Sequence, residues 1–176
     1  MRVALRSQDR GQALVEFALI VPIFVLLLIG VFDVGRVVFA SNDASHAARD
    51  AARLASVSPA DCDSIFYVVQ HQTQGASGVS VTVSYRPAPS SSIQNPAWSN
   101  VCPAYNPATT YDNDPATGTM SSAAAQITDA FNGPGVEIRV SINNPVSLAT
   151  PVIGSLLGGT IAVNGSSTMN VTYPPR

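Results

Sequence analysis

The chain has 176 residues and a mass of 18.3 kDa, room for one modest domain once any membrane segment is set aside and none for a second, catalytic one. Only 11% of its residues are charged, against a usual quarter or so; Ser, Thr, Asn, Gln and Gly supply the polar surface instead, which suits an exported protein. The net charge of -2 and the pI near 5.5, with no basic cluster beyond the N-terminus, argue against nucleic acid as a partner.

The first element is the apolar run ALVEFALIVPIFVLLLIGVF, Ala13 to Phe32. As a helix it is roughly 30 Å long, the thickness of a bilayer core. Arg2, Arg6 and Arg10 precede it against a single Asp9, whereas Asp33, Arg36, Asp43, Arg49 and Asp50 nearly cancel after it. The positive-inside rule therefore puts the N-terminus in the cytoplasm. An ordinary cleaved signal peptide fits less well: Asp33 and Arg36 stand between the apolar run and the small-residue site at Val38 to Ala40, and the run is longer than a signal core.

Glu16 lies inside that run. An acidic side chain there costs on the order of 2 to 3 kcal/mol on insertion scales, which marks it as a candidate functional residue unless it merely snorkels to the headgroups. Its neighbours give it a context. Arg10-Gly11-Gln12-Ala13-Leu14-Val15-Glu16-Phe17 resembles the processing site of type IV prepilins, where a peptidase cuts after Gly and leaves Glu fifth in the mature chain. The continuation through Pro22, the Asp33-Val34-Gly35-Arg36 segment and the Ala-rich stretch ending at Arg53 resembles the TadE-like (TadE/TadG-like) minor pilins or pseudopilins of tight-adherence (Flp, type IVb) pili.

That resemblance implies a cytoplasmic leader over residues 1–11, a transmembrane helix over 12–33 and an exported pilin-like domain over 34–176. It implies cleavage between Gly11 and Gln12, and assembly roles for Glu16, Phe17 and Pro22. The physical logic is independent of the family. A small Gly11 lets a peptidase approach the backbone, and the new Gln12 amine would lie about 6 Å from Glu16 along a helix, where the two charges would lessen each other's burial cost. Pro22 removes a backbone hydrogen bond inside the helix, so a kink or local unwinding is expected.

Helical periodicity continues past the membrane in a small-residue stripe of Val34, Val37, Ser41, Ala44, Ala48, Ala51 and Ala55. The opposite side carries Arg36, Asp43, His46, Arg49, Asp50 and Arg53, where Asp43 with His46 and Asp50 with Arg53 can pair at (i, i+3). One helix therefore runs from about Gln12 to Ala55. Val57-Ser58-Pro59 ends it, and Ser58 or Asp61 caps a second helix with Ile65, Val68, Val69 and Gln72 along one side. Cys62 and Cys102 lack C-x-x-C spacing and the His partners of a closed zinc site. One extracytoplasmic disulfide is the default, worth roughly 4 kcal/mol in the chain-entropy description; two buried free thiols are the alternative.

Three strands follow. Val79 to Tyr85 and Val136 to Ile142 alternate apolar with polar residues, and Ile161 to Tyr173 does so except at Gly165-Ser166-Ser167, where a bulge or a split strand is expected. One-faced alternation favours an antiparallel sheet. Thr150-Pro151 and Gly158-Gly159 bracket a short helix that should cover it. Residues 87–135 form a Pro/Ser-rich insert, with a short helix expected from about Ser121 to Phe131 and with Trp98, Tyr105 and Tyr111 packing on the domain more readily than forming a contact surface. The fold class is α+β: a long N-terminal transmembrane helix continuing into a pilin-like domain with a small antiparallel sheet and short covering helices.

Chemistry-bearing patterns are weak. Neither His46 nor His71 has a nucleophile or metal-ligand arrangement around it in sequence, and His71 reads as a surface residue. Asp112-Asn113-Asp114 begins like a calcium loop, but Ala116 takes the next ligand position and no Glu closes it. The expectation is a non-enzyme without metal or cofactor. All nine basic residues are Arg, so no Lys amine is present for isopeptide linkage and any assembly is non-covalent. As implied by the resemblance, the function is that of a minor pilin or pseudopilin in assembly of a Tad (Flp) pilus for adhesion or secretion. Its partners would be the lipid bilayer, the prepilin peptidase, the major pilin, other minor pilins and the Tad inner-membrane assembly platform. The location would be the bacterial cytoplasmic membrane, single-pass, or an extracellular pilus. The alternative is a permanently anchored extracytoplasmic binding or envelope protein that joins no pilus.

Overall fold

The computed structural model describes residues 8–58, 61–73, 78–87, 96–112, 135–150, 154–155 and 158–171. Two compact units emerge, Met1–Val37 with Ser147–Ile161, and Val38–Val146 with Ala162–Arg176. The architecture is α+β, in the chain order α1 (Gln8–Val57), α2 (Cys62–Gln72), β1 (Ser80–Arg86), β2 (Ser99–Asn100), β3 (Glu137–Ser147) and β4 (Thr160–Asn170).

Helix α1 is 50 residues long and runs through Pro22 unbroken. The expected local unwinding is absent: the bond lost at Pro22 is one among many in a long helix, and the flanking turns hold it. In the second unit the small residues of α1 become core. Ala44, Ala47, Ala48, Ala51, Ala52 and Ala55 are fully buried, and their missing bulk lets the helix backbone come close to its neighbours. The stripe begins at Ala44, later than the periodicity suggests, because Val34 is 64% exposed. On the other side Arg36, Asp43, His46, Arg49, Asp50 and Arg53 are exposed; Asp50 accepts a hydrogen bond from Gln72 Nε2 at 2.7 Å.

Asp61, of the two candidate caps, closes the start of α2: its side chain accepts from the Ser64 amide at 3.0 Å, satisfying one of the free N–H groups of the first turn. Ile65, Phe66 and Val69 form the buried side of α2. The Cys62 and Cys102 sulfurs stand at disulfide distance, with Cα atoms 5.6 Å apart.

The sheet has the order β2-β1-β3-β4. Strands β1 and β3 pair antiparallel from Ser80 opposite Asn143 to Arg86 opposite Glu137. Strand β2 adds antiparallel to the other side of β1, Ser84 opposite Asn100 and Tyr85 opposite Ser99. Between β3 and β4 the bonds Val171 N to Val136 O, Arg139 Nε to Thr168 Oγ1 and Asn143 Nδ2 to Asn164 Oδ1 descend one strand as they climb the other, the antiparallel pattern. Period-two alternation sorts the faces. Val81, Val83, Ile138, Val140, Ile142 and Val163 are buried, while Ser80, Thr82, Asn164, Ser166 and Thr168 are exposed.

Strand β4 is continuous through Gly165, contrary to the expected bulge or split. The glycine has another cause. A Cβ there would lie 2.9 Å from Ser45 N and closer still to the Ala44 carbonyl, so α1 crosses β4 at a point where only hydrogen fits.

Part of the insert is ordered against this unit. Phe66 meets the Tyr105 ring edge-on at 5.3 Å and the Tyr111 ring at 5.1 Å, and Gln70 donates to the Thr109 carbonyl at 2.9 Å. Trp98 lies under two guanidinium groups, Arg86 at 4.8 Å and Arg139 at 4.0 Å from its ring centre, and Arg86 also pairs with Glu137. Trp98, Tyr105 and Tyr111 thus pack on the domain. The helix expected over 121–131 lies outside the described residues, as do Asn113 and Asp114 of the calcium-like run.

Candidate functional site

The site to be weighed is α1 itself, since it holds the processing and assembly candidates. Residues 11–20 are exposed throughout, and α1 is the one described helix long and apolar enough to cross a membrane, with a window of mean hydropathy 2.8. Leu14, Phe17, Leu19, Ile20, Ile23 and Phe24 are all more than half exposed. Apolar side chains in such numbers, exposed on one helix, give it the length and composition needed to span a bilayer.

Within this surface Gly11, Gln12, Glu16, Phe17 and Pro22 are exposed. A Cβ on Gly11 would meet nothing within 4 Å, so the fold itself makes no demand for a glycine at that point. Glu16 lies five positions beyond Gly11 on the same helix, about 1.4 turns away. The structure brings Gly11, Gln12 and Glu16 together only by helical succession; Cys62 and Cys102 belong to the second unit.

Sequence reasoning missed the residue that most shapes the first unit. Asp33, at the end of the apolar run, is 4% exposed. Its Oδ1 accepts from the Ala149 amide at 2.9 Å; its Oδ2 accepts from the Thr150 amide at 2.9 Å and from the Thr150 hydroxyl. These amides lie where Gly154 N donates back to Thr150 O at 2.7 Å, a helical turn whose first N–H groups need an external acceptor. The bracketing signals at Thr150-Pro151 and Gly158-Gly159 are met in part: Gly154 and Ser155 are helical, and both glycines have φ of 80°, the left-handed geometry that stops a helix. The remaining residues of that turn lie outside the described ones. Leu148 N donates to Gly159 O at 3.0 Å and closes the excursion. The signal was available in principle: an acid directly after an apolar run, and a helix start elsewhere lacking its own acidic cap.

The remaining titratable groups are simpler. His71 is exposed, its Nδ1 2.9 Å from the Tyr67 carbonyl. Burial, and to a lesser degree the neighbouring Tyr111, pushes the Tyr105 hydroxyl above the ordinary tyrosine range. Among the described residues no cluster of three His, Cys, Asp or Glu side chains is placed to hold a metal ion.

Residues 11–53 match the family described as TadE-like protein. The match starts at Gly11, takes in Glu16, Pro22 and Asp33, and stops within the buried alanine stretch of α1, so it covers about a quarter of the chain and none of the sheet. No curated protein and no solved structure matches. Over that part of α1 the chain is therefore similar to TadE-like proteins.

Proposed function

We propose that the protein is a minor pilin or pseudopilin that takes part in assembling a Tad-type pilus. The observation that carries this reading is the TadE-like match over residues 11–53, which starts on a glycine that the fold does not require and contains an acid in an otherwise apolar, exposed helix. In this reading the peptidase removes residues 1–11 at the cytoplasmic face, α1 anchors the mature chain in the membrane with the sheet outside, and the exposed apolar side chains of α1 leave lipid for neighbouring pilin helices. Small-residue packing and a Gln12 ammonium near a Glu16 carboxylate are the features a helical bundle in a low-dielectric setting would use. The chain then contributes binding surface and no chemistry of its own; its partners are the peptidase, the major pilin, other minor pilins and the inner-membrane platform.

N-terminal sequencing or intact mass of the protein recovered from membranes of cells with an active prepilin peptidase tests this. The expected mature chain starts at Gln12. A chain that still starts at Met1 removes the main support and favours a permanently anchored envelope protein.

A further inference from the structure

The two edges of the sheet are unlike. At one, β2 is two residues long; at the other, β4 runs for 11 residues, and among the described residues no strand pairs with its outer side. Long edges invite pairing with other chains, and proteins usually guard them with charge, proline, a bulge or brevity. The β4 sequence TIAVNGSSTMN has none of these. Its glycine is explained by the crossing of α1 and opens no bulge.

The direction of the free backbone groups can be read from the pairing on the other side. Val171 donates to Val136 O, so residues alternating from it, Met169, Ser167, Gly165 and Val163, turn their N–H and C=O groups towards β3. Ala162, Asn164, Ser166 and Thr168 turn theirs to the free edge.

We propose that this edge is an interface for a second copy of the same chain, whose β4 pairs with it antiparallel about a two-fold axis at Gly165. Three features select that partner and register. First, the axis sets Asn164 opposite Ser166 of the second copy and Ala162 opposite Thr168, so free backbone groups meet free backbone groups along the whole strand; a shift by one residue would set them against groups already turned to β3. Second, Ile161 and Met169, both half-buried, come opposite one another on the same face, so each covers the apolar surface the other leaves open. Third, β4 carries no charge, and self-pairing sets no like charges together, while Asn164 and Ser166 can hydrogen-bond across the pair. The proposal does not rest on the pilin reading, since an anchored envelope protein could dimerise through the same edge.

The test uses the full-length chain in its own membrane. In the Ala162→Cys/Thr168→Cys variant the new thiols are about 20 Å apart within one strand but opposed between copies, so mild oxidation is expected to give a disulfide-linked dimer of this chain, which Ala162→Cys alone does not. Adding Asn164→Asp and Ser166→Asp, at two exposed positions, sets carboxylate against carboxylate and should lower the linked fraction roughly tenfold; Asn164→Lys with Ser166→Asp should restore it. Three outcomes overturn the proposal: no link between copies, a link unaffected by the paired acids, or a link only to a different protein. Processing at Gly11 is read from the same sample by mass, so failure of this interface and failure of the pilin reading are separable.

Discussion

The Asp33 carboxylate holds Thr150 by both its amide and its hydroxyl, across 117 positions of sequence. With the Ala149 amide on the other oxygen, it acts as the N-terminal cap of a turn to which it does not belong in sequence. The relationship explains why an acid can stand immediately after an apolar run: its charge is met by three donors where water is scarce. It also ties the turn after β3 to the helix that crosses the membrane in our reading.

Replacing Asp33 should therefore loosen the chain at Ala149 and Thr150 first. Asp33→Asn keeps one carbonyl acceptor and loses the charge; Asp33→Ala loses every acceptor and leaves the Ala149 and Thr150 amides unpaired. Hydrogen exchange of those two amides in detergent-solubilised protein is expected to accelerate in the order native, Asn, Ala, with the β1 and β3 amides unchanged. Equal acceleration throughout the sheet would mean that the contact supports the whole fold and not one turn.

Gly165 makes a second sharp expectation. A methyl group there would overlap the Ala44 carbonyl and crowd Ser45 N, and both are helix backbone that cannot swing aside as a long side chain could. Gly165→Ala should cost about 1 to 3 kcal/mol, read as a lowered midpoint in denaturant. Ala44→Gly should not rescue it, because the obstacle is the carbonyl and not the Ala44 methyl group.

These two residues mark how far the sequence could be read. Helix α2, the second half of α1 and strands β1 and β3 follow from periodicity because each has one buried side, and period 3.6 or period 2 survives in the residues themselves; the first half of α1 follows from the length of its apolar run. Gly165 was visible but ambiguous: a glycine within a strand is the same letter whether it relieves a bulge or admits a neighbouring helix, and only the position of Ala44 decides. Strand β2 has two residues, too few to show alternation, and exists because Val101 N can reach Val83 O at 2.9 Å. The Asp33 contact depends on two segments meeting in space, which no local pattern records. For the candidate site, Gly11 and Glu16 were legible because their signal is spacing along one helix.

The aromatic cluster gives a pH dependence with a definite sign. Burial raises the Tyr105 hydroxyl pKa above its ordinary value, with Tyr111 adding to the shift. Below about pH 10, the ordinary tyrosine value, both folded and unfolded chains carry the neutral hydroxyl and the contribution is fully present. Above it the unfolded chain ionises first, so stability falls as pH rises through the folded-state value. Denaturant midpoints measured between about pH 9 and 11 should decline in the native protein and decline less in Tyr105→Phe, which keeps the ring against Phe66 and Tyr111. Identical slopes would place the ionising group elsewhere.

Glu16 offers the most direct separation of an assembly role from simple anchoring. It sits exposed on α1 among side chains suited to lipid, and a carboxylate there weakens insertion. If its use is to meet the Gln12 amine in a helical bundle, within one subunit or between neighbours, then Glu16→Leu should insert as well as the native helix or better, should still be cut after Gly11, and should fail afterwards. The cut exposes an ammonium group whose buried partner is gone, and breaking one side of a desolvated pair is costly enough to lower co-assembly roughly tenfold or more. Glu16→Gln keeps the shape and a hydrogen-bond acceptor but not the charge, so it should share the assembly defect with a smaller gain in insertion. The measurement is paired: the N-terminal mass in membranes reports processing, and cross-linked co-purification with pilus components reports assembly. Processing lost in the Leu variant would assign Glu16 to peptidase recognition instead. Native processing together with native co-purification would leave Glu16 a snorkelling side chain on a plain membrane anchor.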